Sequence, residues 1–490
     1  MYRVYLDWNV FASLKDKSEN QVPNELRLLL EKNKNNLLVP FTSVHIQDLL
    51  KGSDDPKNLP LILRDLDLIN SITEKHYIEY DIEADRLYPK IADSNLIFEN
   101  AQEIKNEPLF DPESLLESMS EIGFTEMGES MIELWRRTPT GIDFSNLDKQ
   151  AGSNEFFRNF LKLTRQENNM LCLMLDLTDF YSDIKSNPEV YKSLSKLFRD
   201  MIKIDPKVIS NNRDPIPEIN KLLKAFNPEL DFDTLGTIKS KEDNKYLSSS
   251  MIQFAIEFGN LDLAGYHPDK LTEKNTYSNY TNDVHHVYYA SSCNYFISNE
   301  SKLIEKANVM YRKYGIDCIA LKPQEFLRDI NNQLNVEYTV DSFILSINDT
   351  IENRLRKEIL DHNIEGATIY LYDPVTRILG YFNYLYTLDY TDDRRTIVLN
   401  SDIHQYSRFS FFTEWKSIIY KLYSLLGPDI YNLGEPKIED YLNFQDADKL
   451  ERAWVLDNYF CILTLEGNKT HFRLEMNKLT EAFMESLKEE

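Results

Sequence analysis

The chain opens with a strand-like run that ends in an acidic residue. Residues 2–6 include two tyrosines and a valine, which favour a strand, and Asp7 follows directly, with Asn9 two residues later. Ligands of an open parallel sheet bind beyond the carboxyl ends of its strands, so this position predicts that Asp7 is a metal ligand. The alternative for Asp7 is a local role in the turn, where Asp often accepts hydrogen bonds from the nearby backbone.

Strands and helices alternate in two separate parts of the sequence. Residues 1–54 predict strands and helices at 2–6, 24–32, 37–40 and 44–51, the last one closed by Gly52. Residues 281–335 resume the alternation, with a helix from about 283, a strand at 295–297, a helix at 301–314 and a strand at 316–321 stopped by Pro323. We expect these two parts to form one parallel sheet of an α/β fold.

The long segment between these parts, residues 55–280, predicts a mainly helical insertion. Apolar residues recur at helical spacing at 156–163, 170–180, 191–198 and 252–258. The polar stretch 277–282, rich in Asn, Ser, Thr and Tyr, predicts an ordered loop that returns the chain to the sheet.

The pattern changes again for residues 336–490, which predict a separate α+β domain. Antiparallel strands are expected at 367–372, 378–388 and 396–399, a helix at 409–426, and a hairpin of 454–465 and 469–476 turned at 466–468. This part has no acid cluster, so we expect it to serve control or assembly rather than chemistry.

Composition limits the compartment and the partners. The four cysteines lie far apart, which predicts reduced thiols in a cytoplasmic protein without a structural zinc. No apolar stretch is long enough to span a bilayer, so no membrane role is expected.

The net charge of −25 opposes general nucleic-acid binding, which depends on Lys and Arg. A chosen RNA could still be held by a local basic patch or by stacking aromatic residues.

Three further acidic residues are expected near Asp7 at the same edge of the sheet. Asp283 and Glu300 are expected near the carboxyl ends of the predicted strands, and Asp48 lies on the helix face opposite its apolar residues. Carboxylates clustered around paired divalent ions can hydrolyse phosphodiesters, and Mg²⁺ prefers a few carboxylates together with water. The four acids therefore predict a nuclease site.

Four segments carry a family resemblance in the same order. They are Leu-Asp-Trp-Asn at 6–9, Ser-Val-His-Ile-Gln-Asp at 43–48, Asp-Val-His-His-Val-Tyr-Tyr-Ala at 283–290 and Phe-Ile-Ser-Asn-Glu-Ser-Lys-Leu at 296–303. The chain resembles a PIN-domain ribonuclease with a long helical insertion, over about 100 of its 490 residues. The resemblance implies a parallel α/β/α sandwich, an Mg²⁺ or Mn²⁺ cofactor and RNA cleavage, often in bacterial toxins or phage defence. It implies that Asp7, Asp48, Asp283 and Glu300 bind the metal.

Two acids depart from the family pattern, and four neighbours are expected to support the site. Glu300 stands where Asp is usual, and Asp48 stands where Glu is common, which changes the reach of each carboxylate by about one methylene. The supporting residues are Asn9, His45, His286 and Ser298; His286 is one helical turn from Asp283, and Ser298 could cap the next helix.

Other interpretations remain open at this stage. Asp283 could instead cap a helix, and Glu300 could complement a helix dipole. A haloacid-dehalogenase phosphatase also begins with a strand ending in Asp, but it needs a second Asp where this chain has Asn9. The other function we consider is a non-catalytic PIN-like module, regulatory or protein-binding, whose acidic surface contacts a protein partner. Partners expected from these hypotheses are RNA, a second copy of the chain or a protein regulator.

Overall fold

The computed structural model describes most of the chain, with gaps. It covers residues 2–15, 21–104, 116, 119–120, 125–139, 169–172, 174–175, 188–235, 249–268, 277–334, 338–353, 356–359, 367–372, 377–382, 384–390, 395–400, 412–437, 449–456, 459–466 and 469–476. The helix predicted at 156–163 and most of that at 170–180 lie outside these residues.

As far as residue 334, the described elements follow one another in three groups. The first group is β1 (Tyr2–Leu6), α1 (Trp8–Ser13), α2 (Gln21–Lys32), β2 (Leu37–Leu38), β3 (Phe41–Thr42), α3 (Ser43–Leu50), α4 (Leu59–Thr73), β4 (His76–Asp81), β5 (Arg86–Ile91) and α5 (Ser94–Ile104). The second is α6 (Thr125–Arg137), α7 (Pro188–Ile202), α8 (Pro206–Ser210), α9 (Ile216–Phe226) and α10 (Ser250–Leu263). The third is α11 (Tyr277–Ala290), β6 (Tyr295–Ile297), α12 (Ser301–Tyr314), β7 (Ile319–Leu321) and α13 (Pro323–Leu334).

The predicted parallel sheet is present and joins both ends of the α/β part. Its strand order is β2-β1-β6-β7, with every neighbouring pair parallel. The register pairs Val4 with Tyr295 and Leu6 with Ile297, so β1 and β6 end side by side. The chain leaves β1 toward β2 on one side and returns to β6 on the other, which makes this edge the topological switch point of the sheet.

The two faces of β1 pack against different parts of the chain. Side chains alternate along a strand, so Val4 and Leu6 enter one core, together with α2 and α13. Tyr5 points to the other face, where α7 to α12 provide most of the buried side chains. The predicted helical insertion therefore shares a core with the parallel sheet instead of forming one of its own.

Residues 1–290 differ from the prediction at four elements. The short helix α1 directly after Asp7 was not expected, and β4 and β5 form an antiparallel hairpin inside the segment predicted to be mainly helical. The predicted loop at 277–282 is wrong, because these residues form the first turns of α11. As a result, Asp283 lies inside a helix, and its interpretation as a helix cap is wrong as well.

The C-terminal part forms an antiparallel sheet of seven described strands with its own core. After α14 (Val340–Asn353), it contains β8 (Arg356–Ile359), β9 (Ala367–Tyr372), β10 (Tyr384–Tyr390), β11 (Arg395–Asn400), α15 (Phe412–Leu426), β12 (Lys449–Leu456), β13 (Tyr459–Glu466) and β14 (Lys469–Met476). The order is β12-β13-β14-β11-β10-β9-β8, and Trp454 and Phe472 pack in the core. Within the described residues, no helix is both long and apolar enough to cross a bilayer.

Two strand predictions in this part are corrected. The run 378–388 divides into a tight turn, in which Ile378 bridges Phe382, and the strand β10. The run 454–465 divides into the antiparallel partners β12 and β13. The predicted pairing across 466–468 is confirmed for the flanking strands, since β13 pairs with β14 as far as Glu466 and Lys469, while residues 467–468 lie outside the described part of the chain. Each run contains a turn signal that the prediction passed over: Gly380 in the first and Asp457-Asn458 in the second.

Candidate functional site

Asp7 lies at the switch point, directly after β1. Its carboxylate is only 3% exposed, and its Oδ2 accepts hydrogen bonds from Ser298 Oγ at 2.6 Å and Asn9 Nδ2 at 2.6 Å. Ser298 follows β6 just as Asp7 follows β1, which brings the two residues together. Burial raises the pKa of Asp7, and the charge of Asp48 raises it further, while His286 and Ser298 act in the opposite direction. The sequence prediction placed both residues at this edge.

Asp48 approaches the same edge from α3. Its Oδ2 lies 3.0 Å from His286 Nε2, and this nitrogen is also 3.8 Å from Asp7 Oδ1. Its Oδ1 accepts hydrogen bonds from Lys51 Nζ at 2.7 Å and Asn282 Nδ2 at 2.7 Å. Burial alone would raise the pKa of Asp48, but the hydrogen bonds and charges of His286 and Lys51 together hold it below its ordinary value. The two aspartates of one site therefore have opposite pKa shifts.

Glu300 stands at the exposed rim and connects to the buried acids through Asn9. Asn9 Nδ2 lies 3.3 Å from Glu300 Oε1, and Asn9 Oδ1 accepts the Asn299 backbone N–H at 3.1 Å. Glu300 occupies the N-cap position of α12, and its own N–H donates to Ser298 Oγ at 3.1 Å. Asn9 thus joins the residues after β1 to those after β6, which is how it supports the site.

Asp283 is in α11, on the edge of the helix face that meets Asp48. The contacts that α11 makes with Asp48 come from Asn282 and His286, which are four residues apart and so share a face. At 3.6 residues per turn, Asp283 is displaced by about 60° around the helix from His286. Asp283 is half-buried, and its role as a ligand stays a prediction.

A buried chain of hydrogen bonds orients His286. Tyr5 OH lies 2.8 Å from His286 Nδ1 and 2.9 Å from Thr42 Oγ1. Two arrangements of protons satisfy the chain, and in both of them His286 donates from Nε2 to Asp48. With a neutral His286, Thr42 donates to Tyr5 and Tyr5 donates to Nδ1 of His286. With a protonated His286, Nδ1 donates to Tyr5, Tyr5 donates to Thr42, and Thr42 donates to His45 Nδ1 at 3.1 Å. Burial raises the pKa of Tyr5 well above its ordinary value, which keeps it a neutral donor. Tyr5, Thr42 and Asn282 were not predicted, although the alternation of β1 places Tyr5 opposite Val4 and Leu6.

His45 has a structural role. It is fully buried; its Nδ1 accepts the Thr42 N–H at 3.0 Å, and its Nε2 donates to the Leu6 carbonyl at 2.8 Å. The first contact is half of a capping box that starts α3, and the second ties α3 to the end of β1. Burial lowers the pKa of His45 to about 3, so the ring is neutral with both nitrogens in use. It supports the site by positioning β1.

We therefore expect His45→Ala to destabilise the fold by about 3 kcal/mol, because two buried backbone groups lose their partners. Chemical unfolding measures this loss, and His45→Gln, which keeps a donor and an acceptor, should recover part of it. The folded fraction of His45→Ala should still bind Mn²⁺. Loss of Mn²⁺ binding from a folded His45→Ala variant would instead identify His45 as a ligand.

The donor set fits one kind of metal site. Among the described residues, no group of three or more His, Cys, Asp and Glu side chains is already assembled as metal ligands. The carboxylates of Asp7 and Asp48 both approach His286 Nε2. Proteins usually bind Mg²⁺ through one or two carboxylates, and water molecules supply the other ligands, so these two aspartates fit a magnesium site. A divalent cation would also offset the burial of the Asp7 charge.

Comparison of the chain with protein-family models, with curated proteins and with solved structures gave no match.

Proposed function

We propose that the chain is a metal-dependent ribonuclease with a PIN-like α/β core, as the motif resemblance implies. One observation carries the proposal: the buried carboxylate of Asp7 lies at the switch point of a parallel sheet and shares the imidazole of His286 with Asp48. Ligand sites of such sheets lie at this position, and a buried carboxylate facing a second one is an arrangement that a cation stabilises.

Asp7 and Asp48 would hold Mg²⁺ or Mn²⁺, with Glu300 and Asp283 as the remaining predicted ligands. The bound ions would supply an activated water and stabilise the leaving oxygen of the phosphodiester. Ser298 and Asn9 fix the orientation of the Asp7 carboxylate by two hydrogen bonds to one oxygen. Tyr5 fixes the ring of His286, so that its Nε2 faces both aspartates.

The substrate is expected to be a selected RNA rather than any nucleic acid. A net charge of −25 repels phosphate, and nonspecific affinity depends on cations at the surface. The neutralisation of phosphate would therefore fall to the metal and to local contacts. This selectivity suits a toxin or phage-defence nuclease, which acts on particular transcripts.

The test is cleavage of total RNA by the full-length protein. We expect fragments with Mg²⁺ or Mn²⁺ and none with EDTA. Asp65→Asn is a suitable control variant, because Asp65 is a buried aspartate of α4 whose ion-pair partner is Lys15. Cleavage that persists in EDTA would contradict a metal-dependent mechanism.

The second candidate function is a non-catalytic PIN-like module that binds a protein regulator. One observation favours it: Asp48 is already contacted by Lys51 and His286, so its charge has partners without a metal. In that case the polar groups would hold α3 and α11 to the sheet, and the acidic surface would meet a basic partner. The two candidates differ in whether Mn²⁺ displaces Lys51 from Asp48.

We expect Lys51→Met to increase Mn²⁺ affinity by up to about fivefold, because it removes a half-exposed cation that competes for Asp48. Calorimetric titration measures the change, with the exposed Lys57 as the matched control in Lys57→Met. Unchanged Mn²⁺ affinity in Lys51→Met would show that the metal does not use Asp48.

A further inference from the structure

A cavity lies at the end of β1 opposite Asp7. Its volume is about 230 Å³. It lies between the C-terminal part of the chain on one side and the start of β1 and the end of α13 on the other. Residues from all three parts line it, among them Tyr2, Gln333, Tyr338, Gly380, Lys421 and Ser424. The cavity is smaller than the roughly 300–1,000 Å³ of sites for drug-sized ligands, so it suits a small metabolite.

Lys421 brings a positive charge to the wall of this cavity. Its Nζ donates to the Leu379 carbonyl at 2.9 Å, and among the described residues no acidic side chain pairs with it. An ammonium group has three N–H donors, so two remain for a ligand. Burial lowers the pKa of Lys421 to about 8, because the buried ammonium loses hydration. A bound anion would compensate for that loss.

The chain keeps the space beside this ammonium open. Gly380 has a φ of +63°, and a Cβ at this position would lie 3.2 Å from both Lys421 Nζ and the Tyr2 ring. A side chain there would be strained and would crowd the cation. Gly380 therefore permits the turn and leaves Lys421 accessible from the cavity.

The other walls combine aromatic and aliphatic side chains with polar groups, and the two tyrosine hydroxyls among them are already hydrogen-bonded. The hydroxyl of Tyr2 donates to Gln333 at 3.1 Å, and that of Tyr338 donates to the Arg377 carbonyl at 3.2 Å, so these donors are in use. Leu334, Leu379 and Leu425 add apolar surface, while Asn36, Gln333 and Ser424 add polar groups to the same lining.

We propose that this cavity binds a small organic anion, with its carboxylate or phosphate on Lys421 and its apolar body against Tyr2 and the leucines. Lys421 would select a ligand with an anionic head group, and the tyrosine and leucine side chains would favour an apolar body. Because the lining comes from both the parallel sheet and the C-terminal part, the ligand would join them.

The test uses the full-length protein with phenyl phosphate, benzoate and inorganic phosphate as probes. We expect phenyl phosphate or benzoate to bind in calorimetry and to raise the melting temperature, and inorganic phosphate to bind more weakly because it has no apolar body. Lys421→Met should weaken binding at least about tenfold, the scale of a charge-assisted hydrogen bond. Lys416→Met, a half-buried position on the same helix, should leave it within about twofold.

A second measurement uses the wild type alone, in case Lys421→Met does not fold. Acetylation of Lys421, followed by mass spectrometry, should slow at least about fivefold when the better probe is present, while acetylation of Lys416 stays unchanged. The proposal is wrong if neither organic probe binds or protects Lys421, or if Lys421→Met binds the probe as tightly as the wild type. Equal binding of inorganic phosphate and phenyl phosphate would overturn the apolar part of the site.

Discussion

Asp7→Asn should reduce RNA cleavage at least about 100-fold, more than the loss of a residue that only supports a metal ligand. The amide keeps an oxygen for the hydrogen bonds from Ser298 and Asn9 but removes the charge that would hold the cation. The measurement is the initial rate of RNA cleavage in saturating Mn²⁺. Asp65→Asn, corrected for its folded fraction, should keep the wild-type rate.

The same variant should be at least as stable as the wild type at neutral pH. Burial raises the pKa of Asp7 above the unfolded value near 3.8, so the folded protein carries the cost of a buried charge at pH 7. That cost is fully present above the folded pKa and disappears as the pH falls through it. The stability advantage of Asp7→Asn should therefore shrink as the medium becomes acidic. A strongly destabilised Asp7→Asn would mean that this carboxylate is a structural cap.

Asp48→Asn should also abolish cleavage, but it should destabilise the protein by about 2 kcal/mol at neutral pH, the scale of a lost hydrogen bond between charged groups. The pKa of Asp48 is held low by His286 and Lys51, so its stabilising contribution is present above the unfolded pKa near 3.8. That contribution is lost as the pH falls through the lower, folded pKa. Denaturant unfolding of both variants at several pH values compares the two aspartates directly.

Opposite stability effects of Asp7→Asn and Asp48→Asn, with the same loss of cleavage, are what a shared metal site predicts. Equal destabilisation by both substitutions, without loss of cleavage in the folded protein, would indicate an ordinary buried polar network.

The part of the site that follows from local sequence was predictable. Asp7 and Ser298 each stand directly after a strand, and adjacent parallel strands that end together must bring them into contact. Asn9 was also predictable, because it lies only two residues after Asp7.

The contribution of α11 was only partly predictable. Its first turns contain Asn, Ser and Thr, which favour turns over helices, so residues 277–282 suggested a loop. Tertiary packing reverses that preference: Tyr280 is buried against Phe258, with the Lys306 ammonium over its ring. In the longer helix, Asn282 and His286 both contact Asp48. These contacts join residues more than 200 positions apart, so the local sequence pattern could not predict them.

Titration of Mn²⁺ into the full-length protein, followed by calorimetry, tests most directly whether Asp7 and Asp48 form a metal site. The measurement requires no knowledge of the RNA substrate. We predict saturable binding by the wild type and by Asp65→Asn, and loss of that binding in both Asp7→Asn and Asp48→Asn. Absence of Mn²⁺ binding by the wild type, or the same affinity in all four proteins, would contradict the assignment of this site.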